Sequence, residues 1–394
     1  MDMLMQLESR IKAGQQEFAG IMGELLRRFR PDVVSQFEHR DQTYVLEPFL
    51  FTYFSLPDGP RRASLDQIIA GHLPASRRPD RIPAVADRTG VVHLPGAGYV
   101  EATGSAVQLR CVPGKQGAAW YQVQDSGVER RPYRPCRLVN GDIEVMSHGS
   151  PLVAALFDAS DEKAVETIAA SSELCAVIVQ NSLDIIGNVW PELHGILTSV
   201  LRRVVLFESA ASNSFATTRA QGTVFCNIGL GRSEAFFIED LAHQGGHVAF
   251  AAATLDQEAY FRVPSGTTVG ELTGEVRDRR SLYVALHGIF TEALMSHCLA
   301  LCLERRVFED ACRQHELLGR FNFIFARFTS DLRLLSELGV FAADGRELMA
   351  QLRVIWTDLT IRHASRLGTV DLAGQGYNFS YERFSQLNPI GARG

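Results

Sequence analysis

The chain has 394 residues, enough for two or three domains, and its 46% hydrophobic residues exclude a largely disordered protein. The formal net charge is −6 and the basic residues are scattered, so the sequence lacks the concentrated basic patch of a nucleic-acid-binding surface. We therefore expect a globular protein that does not bind nucleic acid.

Residues 1–10 lack the basic start, apolar centre and small-residue cleavage site of a secretory signal. No stretch approaches the roughly 18 consecutive apolar residues that span a bilayer. The seven cysteines are an odd number and form no CxxC pair, which is typical of reduced thiols in a cytosolic protein. We expect a cytoplasmic protein without a membrane span, and the sequence does not indicate an oligomeric state.

The first 87 residues are predicted to form a helical N-terminal region. Apolar residues recur at helical spacing between residues 3 and 30, and a second apolar segment follows at 43–54. A short helical stretch near Leu65–Ala70 leads into Pro74–Asp87, which is rich in Pro, Arg and Ala and therefore resembles a linker. We place the first domain boundary at residue 87.

The pattern changes to β-type runs between residues 88 and 150. Four short runs of β-branched and aromatic residues are separated by turns, several of which contain glycine. They are Val91–Leu94, Tyr99–Ala102, Ala106–Val112 and Ala119–Val123. We predict a small antiparallel sheet in a β-rich region at 88–150.

Beyond Ser150 the pattern becomes mainly helical and continues so to about residue 206. Thr223–Cys226 is predicted as a strand, and a long helix follows from Glu234 to about Ala253. Residues 151–394 are assigned to one mainly helical, metal-binding catalytic domain, for the reasons given below. The predicted fold class is α+β: a predominantly helical metal-binding domain, a small antiparallel sheet and a helical N-terminal region.

Two histidines lie one helical turn apart on this long helix. His243 and His247 occupy positions i and i+4, so their imidazoles point to the same side, as the capture of one metal ion by one helix requires. Ser233 is the expected N-cap. Gly245 and Gly246 each weaken a helix by about 1 kcal/mol relative to Ala, so we expect another group to approach closely there. The alternative is a kinked core helix whose histidines bond to nearby carbonyl groups.

The residue at position 244 determines which metal chemistry fits. In the His-Glu-x-x-His pattern of zinc peptidases, the glutamate accepts a proton from the metal-bound water. Gln244 has the same shape but no basic carboxylate, so it weakens the prediction of a zinc-dependent hydrolase. A site that keeps its ligands without this base fits chemistry that resides in the metal, such as iron-dependent oxygen activation. It also fits a protein that has lost catalysis.

A third ligand is expected from a second helix, predicted at Ser281–Met295. This helix offers His287 and Glu292, which lie about 140° apart around the helix axis, so both cannot easily point at one ion. We predict His287 as the ligand because Gly288 beside it opens space. Glu292 is the alternative, since it would complete the two-histidine, one-carboxylate set of non-haem iron sites.

Three segments together resemble a known family. These are the run Thr223-Val-Phe-Cys226, the helix with His243-x-x-x-His247, and the run from Ser281 to Phe290 that contains His287. They resemble the HExxH-containing proteins of bacterial gene clusters that modify ribosomally made peptides, over roughly residues 160 to 300. The resemblance implies a metal ion held by His243, His247 and His287, and a precursor peptide as the substrate. One activity that it implies is side-chain hydroxylation with Fe(II) and 2-oxoglutarate.

Further residues are candidates for supporting roles. Glu239 and Asp240 precede His243 by one turn, and either is expected to orient a ligand. If 2-oxoglutarate binds, its carboxylate needs a basic partner, ideally an arginine that bonds through two nitrogens. The candidate arginines are Arg262, Arg327, Arg362 and Arg383, of which we single out Arg262 and Arg362.

Three functions are compatible with these residues. The first is an Fe(II)- and 2-oxoglutarate-dependent oxygenase that hydroxylates a peptide side chain. The second is a zinc-dependent peptide hydrolase that takes its base from Glu239 or Glu292. The third is a non-catalytic relative that binds a peptide. We rank them in this order because Gln244 removes the expected base and leaves the ligands in place.

Overall fold

The computed structural model describes residues 2–34, 43–56, 63–113, 118–158 and 161–390. The chain divides into two compact units. One, here called the helical unit, contains Met1–Gly14, Ile178–Val200 and Leu230–Gly394; the other, the mixed unit, contains Gln15–Val177 and Leu201–Gly229. These units do not coincide with the predicted regions 1–87, 88–150 and 151–394.

The mixed unit combines short helices with strands. Its helices are the later part of α1 (Asp2–Phe29), α2 (Pro31–Val34), α3 (Pro48–Ser55), α4 (Leu65–Ile69), α5 (Pro151–Ala154), α6 (Glu162–Glu166) and the first part of α7 (Ile168–Val189). Its first strands are β1 (Ile82–Val85), β2 (Val91–Leu94), β3 (Gly98–Glu101), β4 (Ala106–Val112), β5 (Ala119–Gln124) and β6 (Gly127–Arg131). The others are β7 (Tyr133–Pro135), β8 (Arg137–Val139), β9 (Ile143–Val145), β10 (Arg203–Phe207), β11 (Phe215–Ala216) and β12 (Thr223–Asn227).

These strands form three sheets. A four-stranded sheet has the order β1-β4-β5-β6 and a three-stranded sheet has the order β2-β3-β7, and all pairs in both are antiparallel. A five-stranded sheet has the order β11-β12-β10-β9-β8. In this third sheet β10 pairs in parallel with both β9 and β12, so the sheet is mixed.

The main hydrophobic cluster of the mixed unit packs against this third sheet. Every residue of β10 and β12 is buried. Phe207 and Phe225 belong to a hydrophobic cluster that includes Phe49 of α3 and Leu152 of α5. A separate cluster around Trp120 fills the space between the two antiparallel sheets and includes Val92. Burial of these large apolar side chains is the main force that stabilises the unit.

The helical unit is built from longer helices. They are the start of α1, the later part of α7, α8 (Pro191–Val200), α9 (Glu234–Ala253), α10 (Val269–Thr273), α11 (Leu282–Arg305), α12 (Ala311–Glu337), α13 (Ala343–Arg362) and α14 (Tyr381–Leu387). The central helix is α11, which packs against α9 and α12. It is buried along most of its length, so it forms the axis of this unit.

Side-chain caps fix where the two central helices begin. The Ser233 hydroxyl accepts a hydrogen bond from the Phe236 N–H at the start of α9, and the Ser281 hydroxyl accepts one from the Val284 N–H at the start of α11. Each cap satisfies a donor that would otherwise lack an intrahelical partner. Helix α11 ends at Arg306, which adopts the left-handed conformation with φ of 49°.

The structure confirms the predicted α+β, mainly helical fold class. The helix predicted at residues 3–30 is α1, and the four predicted β runs correspond to β2, β3, β4 and β5. The long helix predicted from Glu234 is α9, with the predicted ends. These segments have strong local periodicity, which is why the sequence predicts them well.

Two predictions about local structure were wrong. Residues 203–207, predicted within a helical stretch, form β10 at the centre of the mixed sheet. A short apolar run that is buried on both faces has no alternation to separate it from a buried helix. The predicted linker Pro74–Asp87 contains β1, an edge strand in which Pro83 is tolerated because one side of the strand makes no ladder.

Among the described residues, α11 is long and apolar enough to cross a membrane. In its most apolar window, 78% of the residues are buried inside the unit. A mostly buried core helix passes the same test of length and composition, so α11 is weak evidence for a membrane span. The cytoplasmic location stays a prediction.

Candidate metal centre

His243 and His247 lie one turn apart on the same side of α9. Their Nε2 atoms are 3.1 Å apart and their ring centroids are 4.8 Å apart. Each side chain reaches the surface in part, whereas most of the surrounding residues of α9 are buried. The structure therefore brings the two predicted ligands together at an accessible position.

Both imidazoles are neutral at physiological pH. Burial lowers the pKa of His247 to about 4. Burial, reinforced by the neighbouring His247 and Arg327, lowers the pKa of His243 well below its ordinary value. A neutral imidazole has one nitrogen with a free lone pair, which is the form that binds a metal ion.

The spacing of the two nitrogens fits one transition-metal ion. Two nitrogens bound at about 2.0–2.1 Å are about 2.9 Å apart at a right angle and about 3.4 Å apart at the tetrahedral angle. The observed 3.1 Å between the Nε2 atoms of His243 and His247 lies between these limits. The donor set of two neutral imidazoles suits zinc, iron or copper rather than magnesium or calcium.

Gln244 acts on the opposite edge of the His243 ring. Its side-chain amide nitrogen is 3.0 Å from His243 Nδ1 and 3.3 Å from Asp240 Oδ1. The Gln244 side chain is buried, and its Oε1 has no hydrogen-bond partner among the described residues. Gln244 therefore lies behind the ligand, where its amide can orient the ring and Asp240 can orient the amide.

The orientation of this amide sets which nitrogen of His243 carries the proton. With the amide N–H donating to Nδ1, the proton of His243 is on Nε2, where it donates to His247. If the amide turns over, Oε1 accepts a hydrogen bond from the Nδ1–H and the Nε2 lone pair of His243 becomes free, while the hydrogen bond from Gln244 to Asp240 is lost. Metal binding through Nε2 requires the second arrangement.

Gly246 allows α11 to approach α9 closely, as the sequence predicts for a glycine at this position. A Cβ atom added there would lie 3.0 Å from Leu294 Cδ1 and 3.1 Å from Thr291 Cγ2 of α11. An added side-chain atom would therefore require the Leu294 and Thr291 side chains to shift by a few tenths of an ångström. The glycine therefore allows the second helix to lie directly against the histidine pair.

His287 of α11 lies next to His247. Their ring centroids are 4.2 Å apart, and His287 Nε2 is 3.2 Å from the His247 carbonyl oxygen. The His287 ring also stacks on Phe250 at 4.7 Å. A Cβ added at Gly288 would meet nothing within 4 Å, so open space borders this side of the site. His287 lies beside the pair, but its Nε2 forms a hydrogen bond with the His247 carbonyl oxygen.

Glu292 contacts Arg327 of α12. Its Oε1 is 3.4 Å from Arg327 Nε, a long contact for an ion pair. Burial, with the nearby charge of Asp331, raises the pKa of Glu292 to about 8. Burial therefore favours the protonated carboxyl group in the metal-free protein, and an ion bound there would have to displace this proton.

The four candidate arginines have different surroundings. Arg327 is 38% exposed, contacts Glu292 and lowers the pKa of His243, so it lies within electrostatic reach of the pair. Arg362 pairs with Asp358 and Glu304, and Glu304 is 17 residues beyond His287, about 25 Å along α11. The structure does not bring Arg362 to the histidines.

The other two arginines also lie away from the pair. Arg262 has an exposed side chain, and its backbone N–H bonds to the Val340 carbonyl group. Arg383 lies in α14, against Gly374 of the C-terminal segment. Of the four candidates, Arg327 is therefore the one that the geometry favours as a carboxylate partner.

Glu239, the other predicted supporting residue, is held in a buried ion-pair cluster. Arg320 donates to Glu239 Oε2 at 3.0 Å and to Glu316 Oε1 at 2.8 Å. The Ser233 hydroxyl that caps α9 also donates to Glu316. This cluster joins α9 to α12, so Glu239 has a structural partner and is not free to act as a base.

The mixed unit contains a second set of metal-ligating side chains that the sequence did not reveal. Among the described residues, His93, Cys136 and Glu144 form the one group of three whose ligand atoms all lie within 4.8 Å of one another. His243, His247 and His287 do not form such a group, because the ring nitrogens of all three do not lie within 4.8 Å of one another. No local spacing connects positions 93, 136 and 144, so only the fold brings these residues together.

Comparisons with known proteins do not identify the chain: no family model and no curated protein matches it. The functional argument therefore rests on the geometry and chemistry of the two groups of side chains.

Proposed function

We propose that this chain is an Fe(II)- and 2-oxoglutarate-dependent oxygenase that hydroxylates a side chain of a ribosomally made peptide. The observation that carries the proposal is the 3.1 Å approach of two neutral imidazole nitrogens, His243 Nε2 and His247 Nε2, at an accessible position on one helix. The resemblance of this region to HExxH-containing peptide-modification proteins supplies the reaction and the substrate class.

His243 and His247 would hold the ion, and His287 is the third ligand that we favour. His287 would exchange its hydrogen bond with the His247 carbonyl group for the ion. When bound, Fe(II) supplies oxygen activation with 2-oxoglutarate as the co-substrate. Gln244 keeps the His243 ring in place from behind, and the low pKa values of the histidines mean that no proton has to leave an imidazolium before the ion binds.

Arg327 is the residue that we propose for the carboxylate of 2-oxoglutarate. Its closest carboxyl group, Glu292, is mainly protonated at neutral pH because burial raises its pKa to about 8. The guanidinium charge is therefore not neutralised by that neighbour. Arg327 is 38% exposed, and its Nη1 donates to the Tyr377 carbonyl oxygen. Its guanidinium group would bind an incoming carboxylate with the exchange of this contact.

The same residues argue against the zinc-dependent hydrolase. A hydrolase needs a base that faces the metal-bound water. Gln244 cannot accept the proton, Glu239 is paired with Arg320, and Glu292 is mainly protonated. Each carboxylate that the sequence offered as a substitute base is therefore occupied or neutral.

The test is metal analysis of protein purified without chelators, followed by incubation with Fe(II), 2-oxoglutarate and candidate precursor peptides. We expect about one iron per chain and a peptide product heavier by about 16 mass units, one oxygen atom. His243→Ala should lose both. His315→Ala, which changes a histidine of α12 in the same unit, is the matched control and should keep both.

Three other results would contradict the oxygenase proposal or favour another function. Hydroxylation that survives His243→Ala would refute the proposal. Peptide cleavage by the wild type, increased by Gln244→Glu, would favour the zinc hydrolase. Tight peptide binding by the metal-loaded protein, with no mass change in the peptide, would favour the non-catalytic relative.

A further inference from the structure

A second convergence of donor atoms lies in the mixed unit, independent of the histidine pair. His93 is on β2, Cys136 lies between β7 and β8, and Glu144 is on β9. Their ligand atoms all lie within 4.8 Å of one another, and His93 Nε2 is 2.9 Å from Glu144 Oε1. Two ligands at right angles on one ion are about this far apart.

The charges around these residues can be balanced either by a proton on His93 or His72 or by a bound cation. Arg203 donates to Glu144 Oε2 at 3.0 Å and to Glu47 Oε1 at 2.8 Å. All three side chains are at most 5% exposed. One guanidinium therefore faces two buried carboxylates, which leaves one negative charge unless His93 or His72 carries a proton. A buried unbalanced charge is costly.

From this arrangement we propose that His93, Cys136 and Glu144 bind a divalent transition-metal ion of the zinc type. One nitrogen, one sulfur and one oxygen donor form a ligand set that zinc accepts and that magnesium and calcium do not. The ion adds two positive charges, and the thiol of Cys136 loses its proton on binding. The network of Glu47, Glu144, Arg203 and the bound thiolate then becomes neutral.

The protons of the site can be accounted for. Burial and the neighbouring Glu144 raise the pKa of the Cys136 thiol, so the thiol is protonated in the metal-free protein and releases this proton to solvent when the ion binds. His93 Nδ1 has no hydrogen-bond partner among the described residues. It is available to hold the ring proton when Nε2 turns its lone pair to the ion.

The ion would join two sheets. His93 belongs to the three-stranded sheet and Glu144 to the mixed five-stranded sheet. Cys136 lies in the connection between them and is partly exposed, so the ion can reach the site from solvent. The expected role is therefore structural: the ion stabilises the mixed unit by cross-linking strands that are far apart in sequence.

Cobalt(II) added to metal-free, full-length protein tests the site, because a cobalt–thiolate bond gives a strong near-ultraviolet charge-transfer band that imidazole ligands do not give. We expect this band in the wild type, together with an increase in Tm. Cys136→Ser should lose the band, and Cys312→Ser, which changes an exposed cysteine, should keep it. His243→Ala should also keep it, which separates this site from the histidine pair.

A second measurement, cysteine alkylation, uses only the wild-type protein. Zinc should protect Cys136 of the wild type from alkylation, while Cys312 stays reactive, as read by peptide mass analysis. Absence of the charge-transfer band in the wild type would overturn the proposal, as would equal alkylation of Cys136 with and without zinc. Persistence of the band in folded Cys136→Ser would overturn it as well.

Discussion

Replacing Glu292 with glutamine tests whether this buried carboxyl group is neutral in the folded protein. The residue is 4% exposed, and burial, followed by the charge of Asp331, raises its pKa from the ordinary 4.5 to about 8. Because the folded pKa is higher than the unfolded one, the stability from this group is complete below pH 4.5 and is lost as the pH rises to about 8. At about 1.4 kcal/mol per pH unit, the loss is about 3 kcal/mol at pH 7 and at most about 5 kcal/mol above pH 8.

Glutamine keeps the shape of the side chain and an oxygen that can accept a hydrogen bond from Arg327, but it does not titrate. We therefore expect the free energies of unfolding of wild type and Glu292→Gln to agree near pH 4 and to diverge as the pH rises, with the variant more stable at pH 8. The measurement is urea unfolding of metal-free protein across this pH range. Glu337→Gln is the control, because its side chain is 68% exposed, and its curve should follow the wild type.

Parallel curves for wild type and Glu292→Gln would refute this reasoning. Glu292 would then be ionised in the fold and available as a carboxylate ligand. Iron content separates the two assignments of the third ligand: we expect Glu292→Gln to keep its iron and His287→Ala to lose it. The reverse result would make Glu292 the ligand.

Two further predictions concern the packing that supports the histidine pair. Gly14→Ala should destabilise the protein by about 2 kcal/mol or more in thermal melts, because the added Cβ would lie 1.8 Å from the Ala252 carbonyl oxygen. Gly20→Ala is the control, because a Cβ added there meets nothing within 4 Å. This variant should be neutral or stabilised by up to about 1 kcal/mol. Arg320→Leu should cost about 3–5 kcal/mol in urea unfolding, since it leaves the carboxylates of Glu239 and Glu316 buried without a partner. An unchanged stability in either variant would contradict the corresponding contact.

The sequence predicts those elements whose pattern is local. The amphipathic period of α1 and the alternating or β-branched runs of β2 to β5 give the positions of these elements within a few residues. The predictions failed where tertiary burial determines the structure. Residues 203–207 are apolar on both faces because they lie at the centre of a sheet, and this run has no periodicity that distinguishes a strand from a helix.

The histidine pair is also predictable, because its pattern in the sequence is local. A spacing of four residues on a helix fixes which side chains share a face, so His243 and His247 had to meet if α9 formed. The partners on other helices follow no such rule. Arg327 lies near the pair because α11 and α12 pack together. Arg362, which the sequence analysis singled out together with Arg262, contacts Glu304, about 25 Å along α11 from His287.

The residues around Glu144 in the mixed unit are even harder to predict from the sequence. The network around Glu144 draws its members from five separate segments, at positions 47, 93, 136, 144 and 203. No pairwise spacing in the sequence separates these residues from ordinary surface histidines and glutamates. What identifies them is burial together with charge: two carboxylates at most 5% exposed around one guanidinium.

Gln244 connects the sequence argument to the structural one. In the sequence, Gln244 occupies the position of the catalytic base of zinc peptidases, so it argues against peptide hydrolysis. In the structure its amide lies between the Nδ1 edge of His243 and Asp240, where a glutamate that shares a proton with Asp240 would accept a hydrogen bond from the Nδ1–H. A carboxylate there would hold His243 in the metal-binding tautomer without facing the metal-bound water. Gln244→Glu is therefore expected to tighten metal binding without creating a hydrolase, whereas a zincin site would respond with a gain in peptide cleavage.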